Sequence, residues 1–425
     1  MTHSKPLSRR DFLKLSGTAS LGLALSACGL VPTATPTATS TLTTTLTPTA
    51  TATATNTPTS SPTSEVLKRL TLKEIGQNHN VDIGTTLQGN SPYYDKKYIA
   101  RIISDYSQVF PGTFFVTTRE KYPGQDQLAQ YIIGSLIIPN RMQLIMHPGF
   151  SHVDVPDRMS GFSNDQIIEY MRQTARMYLN YLDLVRQGGG RPPLVQFLTE
   201  ALFFDNSNRG GRYMETPFRR AFTDPSTSKV KLISGSYLLF IEEARRKDLE
   251  AGVDYWPVWS ETDMMHPGAH TSYVVSEGRR AKQEIADQLG ISYDEVILDI
   301  ASQHHILIGQ KPEGWEFMRG NPTYDSMKDA YRELREGLGG RTRIHCDSLH
   351  VLGGQASQDA IIEYLGTAMQ VVFDVGRKVI PSILFWEPIN RRSPTGEDKH
   401  FLDQGLYTAN YDYTPAYQQL VDRFS

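Results

Sequence analysis

The strongest constraint on the fold is a repeated alternation of short apolar runs with longer amphipathic stretches. Eight runs have the composition of buried strands, at 81–85, 114–117, 141–146, 194–198, 255–259, 296–302, 342–346 and 379–386. Apolar residues recur at helical spacing between them, at 97–109, 126–137, 164–187, 237–250, 277–289, 326–338 and 358–375. Alternating strands and helices are typical of a parallel sheet. Because no glycine-rich dinucleotide-binding fingerprint follows the first run, the sequence predicts a (β/α)8 TIM barrel, a single α/β domain over residues 65–425.

The N-terminal 28 residues have the pattern of an export signal. The segment SRRDFLK (8–14) precedes a short apolar region, which is typical of twin-arginine signals and too short to span a bilayer. The region ends in LSAC (25–28), which resembles a bacterial lipobox, a motif in which cleavage precedes the cysteine and the cysteine is acylated. We therefore expect residues 1–28 to be a signal peptide and Cys28 to carry a lipid. The mature protein is then expected at the outer face of the cell membrane or outside the cell.

Residues 29–64 consist almost entirely of Thr, Pro, Ala and Ser. Such a segment has no large apolar side chains to offset the entropy of ordering, so we expect a disordered linker. The formal net charge of the chain is -3 and no basic run stands out, which argues against a nucleic-acid partner. With 2 cysteines in the whole chain, neither a disulfide framework nor a cysteine metal site is expected.

Polar side chains follow almost every predicted strand. In a TIM barrel the active site lies where the strands end. Glu200 ends the apolar run 194–198 and is the first candidate, since a carboxyl group at the mouth of an apolar pocket holds its proton near neutral pH, as a general acid must. The other strands lead to Arg119-Glu120-Lys121-Tyr122, His147, Glu261 and Asp263, Gln303-His304-His305, Asp347-Ser348, and Trp386-Glu387.

Carboxylates beside aromatic side chains, without a cofactor motif, indicate glycoside hydrolysis. In that reaction one carboxyl group protonates the leaving oxygen and a second acts as nucleophile or activates water. The indole of Trp386 and the ring of Tyr122 offer flat surfaces for the C–H faces of sugars.

Several of these motifs resemble those of glycoside hydrolase family 10, the endo-β-1,4-xylanase family, and the resemblance extends from about residue 82 to residue 425. FLTEALFFDN (197–206) resembles the family's VVNEAL(F)DD, which implies that Glu200 is the general acid/base. LIMH (144–147) resembles LVWH, EKY (120–122) resembles MKW, ASQHH (301–305) resembles SQSH, and Trp386 matches the tryptophan of WG. The resemblance implies substrate contacts from Lys121, His147, Gln303, His305, Trp386 and the neighbouring Glu387.

The nucleophile motif is where the sequence departs from the family. The family has ITELDV after its seventh strand, and alignment of CDSLHV (346–351) from its end places Ser348 where the glutamate belongs. Asp347 is the nearest carboxylate, and it would need a β-bulge or a changed strand end to point inward. Glu387, where the family has glycine, is a second candidate. We predict Glu200 and Asp347 as the catalytic pair. Met142 and Met146 replace a family histidine and tryptophan, which indicates a reshaped sugar pocket.

Two alternatives stay open at this point. The first is a non-catalytic glycan-binding lipoprotein on a degenerate barrel, since fold does not imply function. The second is a metal-dependent hydrolase using His147, His305 and Asp347, although no HxH or HExxH spacing supports a metal. We expect no cofactor and no metal, a polysaccharide or oligosaccharide as substrate, and a membrane contact through the lipid at Cys28.

Overall fold

Eight parallel strands close into a barrel in the computed structural model of the chain. The structure describes residues 69–87, 95–111, 125–146, 150–151, 159, 161–199, 204–205, 212–213, 221–222, 230–247, 257–262, 269–307, 322–352, 358–386, 406–408 and 410–425. The chain divides into a unit Met1–Arg69, of which only Arg69 is described, and a unit Leu70–Ser425 that contains the barrel.

The barrel strands are β1 Asp82–Thr86, β2 Gln108–Phe110, β3 Gln143–Met146, β4 Leu194–Thr199, β5 Val258–Thr262, β6 Ile300–Leu307, β7 Ile344–Leu352 and β8 Ser382–Phe385. Each strand pairs in parallel with its neighbours in chain order, and β8 returns to β1 through Asp82↔Ser382 to Thr85↔Phe385. The pairs Ile145↔Leu194 and Met146↔Val195 join β3 to β4 and complete the ring. The predicted (β/α)8 barrel is confirmed.

Helices cover the outside of the barrel, and most of them lie between successive strands. They are α1 Leu72–Asn78, α2 Lys96–Asp105, α3 Gln125–Tyr131, α4 Asn164–Gln187, α5 Val230–Arg245, α6 Ala269–Leu289, α7 Tyr324–Leu338, α8 Gln358–Val375 and α9 Pro415–Phe424. A π-helical turn, Ile132–Ile137, continues α3. The helix α4 begins with a capping box in which Ser163 and Gln166 exchange hydrogen bonds, as their spacing predicts. In the part of the chain that the structure describes, no helix is long and apolar enough to cross a membrane.

The position of the second strand was predicted wrongly. Residues 97–109 have helical spacing, but α2 ends at Asp105 and β2 occupies Gln108–Phe110. All three β2 residues are buried, and the Gln108 amide donates to Gln143 of β3 at 2.5 Å. Burial and sheet pairing therefore outweigh the local helical pattern. The run 114–117, predicted as this strand, lies outside the described residues.

The predicted bounds of three later strands were too early. β5, β6 and β7 end at Thr262, Leu307 and Leu352, whereas the apolar runs end at 259, 302 and 346. Consequently Glu261, the Gln303-His304-His305 segment and Asp347 lie within strands and not after them. The reason is that polar residues end an apolar run while their backbone continues to pair with the neighbouring strands.

Two apolar layers surround the barrel wall. The larger lies between the strands and the helices, and includes Phe197, Trp259 and Ile300. A small inner cluster consists of Phe110, Ile145 and Leu384, with Leu194 and Trp386 packed against it. The inner cluster fills part of the barrel, as side chains do in barrels of this size.

Ion pairs lie at the N-terminal ends of the strands, opposite the end where a TIM-barrel site is expected. Arg191 donates to both carboxylate oxygens of Asp82, at 2.8 and 2.6 Å. Arg343 donates to Asp299 through Nε at 2.8 Å and Nη2 at 2.5 Å. Because each pair joins residues at or before the start of different strands, these contacts fix the strand starts relative to one another.

Candidate active site in the barrel interior

Asp347 lies inside the barrel. Its side chain accepts a hydrogen bond from Gln196 Nε2 at 2.6 Å, and Asp347 and Gln196 are only 3% and 2% exposed. Gln196 belongs to β4 and Asp347 to β7, and two strands, β5 and β6, stand between them in the sheet. A side-chain bond between strands that are not neighbours must cross the interior of a closed barrel. The Asp347 carboxylate therefore points inward.

The strand β7 carries one residue more than both of its neighbours at Ser348. The register pairs Asp347 with Gln303 and then Leu349 with His304 on β6, and Cys346 with Ile383 and then Leu349 with Phe385 on β8. An extra residue of this kind is a β-bulge, which shifts the alternation of side chains by one position. This is the irregularity that an inward Asp347 requires. If side-chain alternation is counted back from the end of β7, the inward position falls on Ser348. If it is counted from the start of the strand, the inward position falls on Asp347.

The side chains next to Asp347 along β7 carry no charge near pH 7. Cys346 is buried against Tyr331 of α7, and burial raises the pKa of its thiol to about 12. His345 is also buried, and burial lowers the pKa of its imidazole to about 4. The Nδ1 atom of His345 lies 2.8 Å from the Ser382 hydroxyl on β8. Both neighbours are therefore neutral at pH 7, and the amide of Gln196 is a hydrogen-bond donor to the carboxylate.

Trp386 lies at the mouth of the barrel beside the strand that carries Asp347. It directly follows β8, and its backbone N–H donates to the carbonyl of Leu349 on β7 at 3.3 Å. The indole is half-buried and packs on the inner cluster, with ring centroids 5.0 Å from Phe110. A partly exposed aromatic face is therefore present at the C-terminal end of the strands.

The other predicted site residues are described only in part. β4 ends at the buried Thr199, and Glu200 follows it directly in the sequence. Gln303 and His305 lie on β6, where their backbones pair with Asp347 and His350. The residues that lie outside the described part of the chain are Glu200, Lys121, His147, Glu387 and Cys28. Of the predicted site residues, Asp347 and Trp386 have described side chains, the first on β7 and the second directly after the neighbouring strand β8.

Gln196 was not predicted as a site residue. The sequence offers one indication of it, a single amide side chain in the middle of the apolar run LVQFL (194–198). A polar residue within a buried strand needs a polar partner. Its partner is Asp347, which the sequence places 151 positions away and therefore cannot identify.

The described residues contain no group of three or more His, Cys, Asp and Glu side chains that could hold a metal ion. Of the three residues in the metal-dependent alternative, only Asp347 has a described side chain. The Asp347 carboxylate accepts a hydrogen bond from an amide donor, Gln196.

The eight strands and the helices around them define the class of the fold, a (β/α)8 barrel. No protein-family model matches the sequence, and no curated protein matches it.

Solved structures of xylanases match the fold along most of the chain. Xylanase 10B from Thermotoga petrophila RKU-1, solved with xylobiose, is 15% identical and has a TM-score of 0.59, with coverage of 84% of this chain and 98% of that one. The endo-1,4-β-xylanase XylE of Penicillium canescens is 12% identical, with a TM-score of 0.59 and coverage of 84% and 97%. A family 10 endoxylanase from a sugarcane soil metagenome is 12% identical, with a TM-score of 0.61 and coverage of 84% and 100%. At these identities the likeness establishes the fold.

Proposed function

We propose that this protein is an exported glycoside hydrolase that cleaves β-1,4-linked xylan, or a related β-glycan, within the chain. Glu200 is the general acid/base, and Asp347 is the second carboxylate of the pair. The observation that carries the proposal is the inward, hydrogen-bonded position of Asp347 in the barrel.

Asp347 has the surroundings that a second carboxylate needs. A hydrogen bond donated to the charged form of a carboxylate favours that form, and Gln196 Nε2 supplies such a bond at 2.6 Å. An ionised carboxylate serves as nucleophile or as the base that activates water. Glu200 directly follows β4 in the sequence, and Asp347 lies on β7. The hydrogen bond from Gln196 to Asp347 connects these two strands.

Trp386 offers an aromatic face on which a sugar ring can bind. Its half-buried indole packs on Phe110 and retains an exposed part at the end of β8. An amphipathic aromatic ring of this kind packs against the C–H face of a sugar. The xylobiose complex of the Thermotoga petrophila enzyme, a protein of the same fold, supports a β-glycan as the class of ligand.

We further propose that the protein acts at the cell surface. The twin-arginine and lipobox motifs at 8–14 and 25–28 support export and a lipid at Cys28, and the Thr/Pro-rich segment 29–64 supports a linker that separates the barrel from the membrane. Release of the protein from membranes by Cys28→Ser, measured by fractionation, tests the anchor independently of the catalytic proposal.

The catalytic proposal is tested by product release from a panel of xylans, β-glucans and aryl glycosides, with sugar binding measured on the same samples. We expect hydrolysis by the natural protein, and loss of hydrolysis with retention of sugar binding in Glu200→Gln. Saturable sugar binding without any hydrolysis would overturn the catalytic proposal and indicate a glycan-binding lipoprotein. Activity lost to a chelator and restored by zinc or manganese would instead indicate a metal-dependent hydrolase.

A further inference from the structure

We propose that Gln196 is a positioning residue for catalysis, which holds the Asp347 carboxylate in place from the opposite side of the barrel. This inference rests on the proposed function, because it assigns Gln196 a role in the same reaction. Gln196 acts through Asp347 and is not itself assigned a contact with the substrate.

The geometry of the pair gives Gln196 control over the direction of the carboxylate. The Gln196 Nε2 to Asp347 Oδ2 distance is 2.6 Å, which makes this a direct contact between the amide and the carboxylate. Both residues are nearly fully buried, so water does not readily replace this contact. Because Asp347 stands next to the bulge at Ser348, where its strand departs from regular pairing, a contact from another strand has more influence on its orientation.

The other end of the Gln196 amide is a buried acceptor. Its Oε1 atom is buried and accepts no hydrogen bond within the described part of the chain. An unpaired buried acceptor disfavours folding. Gln108 of the same barrel shares this feature, so what distinguishes Gln196 is its acceptor, the carboxylate of Asp347.

The pH dependence of activity reports on this contact, because Gln196 donates to the titratable carboxylate of Asp347. Along β7, His345 and Cys346 are both neutral at pH 7, because burial lowers the pKa of the former to about 4 and raises that of the latter to about 12. From β4 the side chain that meets Asp347 is the uncharged Gln196. A change in the amide therefore acts on the carboxylate of Asp347 and leaves His345 and Cys346 uncharged.

The test compares three variants of the full protein. Gln196→Met keeps the side-chain length and removes the donor, and Gln196→Glu replaces the donor with a second carboxyl group. Gln108→Met is the matched control. Gln108 is 1% exposed inside the same barrel, its Oε1 also accepts no hydrogen bond from a described residue, and its amide donates to Gln143 and not to Asp347. Each variant is measured for kcat, KM, melting temperature and the pH profile of kcat/KM.

We expect Gln196→Met to lower kcat by roughly ten- to a hundredfold, with KM changed less than about threefold, because the carboxylate is displaced and the substrate surface is not. The acidic limb of kcat/KM is expected to move to higher pH by about one unit in Gln196→Met, and further in Gln196→Glu, where two carboxyl groups share one site. Gln108→Met is expected to retain the natural kcat and pH profile.

The outcomes separate this inference from the proposed function. If the natural protein hydrolyses no glycan, the proposed function fails and this inference fails with it. If the natural protein is active and both Gln196 variants keep its kcat and pH profile, the inference alone is overturned. If Gln108→Met shows the same losses as Gln196→Met, the effect belongs to general packing of the barrel interior, and the positioning role is likewise overturned.

Discussion

Acid should destabilise this protein through His345, and the variant His345→Asn should remove that effect. His345 is 4% exposed, and burial lowers the pKa of its imidazole from 6.5 to about 4. Its Nδ1 atom lies 2.8 Å from the Ser382 hydroxyl. Asparagine places a side-chain polar atom close to the position of Nδ1, so it can keep this contact while it cannot titrate.

The sign and size of the effect follow from the two pKa values. Above about pH 6.5 the histidine is neutral in both the folded and unfolded states, and it does not contribute to pH dependence. Between 6.5 and about 4 the unfolded chain binds a proton that the folded protein does not, so stability falls as the pH falls. The gap between 6.5 and about 4, at about 1.4 kcal/mol for each pH unit, corresponds to about 3 kcal/mol lost once the pH is below 4.

Urea unfolding at pH 7 and pH 4.5 measures this loss. His345→Asn is expected to be less stable than the natural protein at pH 7, because the ring volume is lost from a buried site. At pH 4.5 the difference should have moved by about 2.5 kcal/mol in favour of His345→Asn, since only in the natural protein does the unfolded chain bind this extra proton. If the free energies of unfolding of the two proteins changed in parallel over this pH range, the claim that His345 is buried with a lowered pKa would be refuted.

Three further substitutions test the packing around the barrel. Glu243→Gln should lower the free energy of unfolding by about 2 kcal/mol at pH 7, because a carboxylate that is 2% exposed loses its hydrogen bonds to partly exposed arginines. The pKa of Glu243 is lowered, because burial raises it less than these arginines lower it. The difference in stability between the variant and the natural protein should therefore vanish as the pH falls through that pKa. Tyr407→Phe removes a hydroxyl that donates to the buried Asp105 at 2.7 Å and should cost about 1–2 kcal/mol in urea unfolding. Gly84→Ala places a methyl group 2.9 Å from Leu384 Cδ1 inside the barrel and should cost about 1–3 kcal/mol; an unchanged thermal melt would contradict the close packing described there.

The barrel could be predicted from the sequence because its elements have strong local patterns. The helix Asn164–Gln187 has a capping box at its start and glycines after its end, and both bounds agree with the prediction. β2 could not be found in this way, because three buried residues are too few to show a strand period, and the helical spacing of 97–109 runs across them. What fixes this strand is pairing with β1 and β3, which is not local information.

The candidate site was predictable in its residue types and not in its geometry. Asp347 was singled out because it is the carboxylate nearest to a family motif, but the sequence alone does not show whether Asp347 or Ser348 occupies the inward position. The extra residue in β7 decides this, and it is visible only in the register with the strands on both sides. The contact with Gln196 joins strands that are distant in the chain, so no local pattern indicates it.

The role of Asp347 is tested most directly by kcat/KM of Asp347→Asn on the glycan that the natural protein cleaves best, with Ser348→Ala beside it. Asparagine keeps the shape of the side chain and removes its charge, so the second carboxylate is lost without a change in packing. We predict a loss of about a thousandfold for Asp347→Asn, in the range that positioned acid–base groups contribute, and near-natural activity for Ser348→Ala. Near-natural activity in Asp347→Asn would contradict the account, since the inward carboxylate of β7 would then take no part in the reaction.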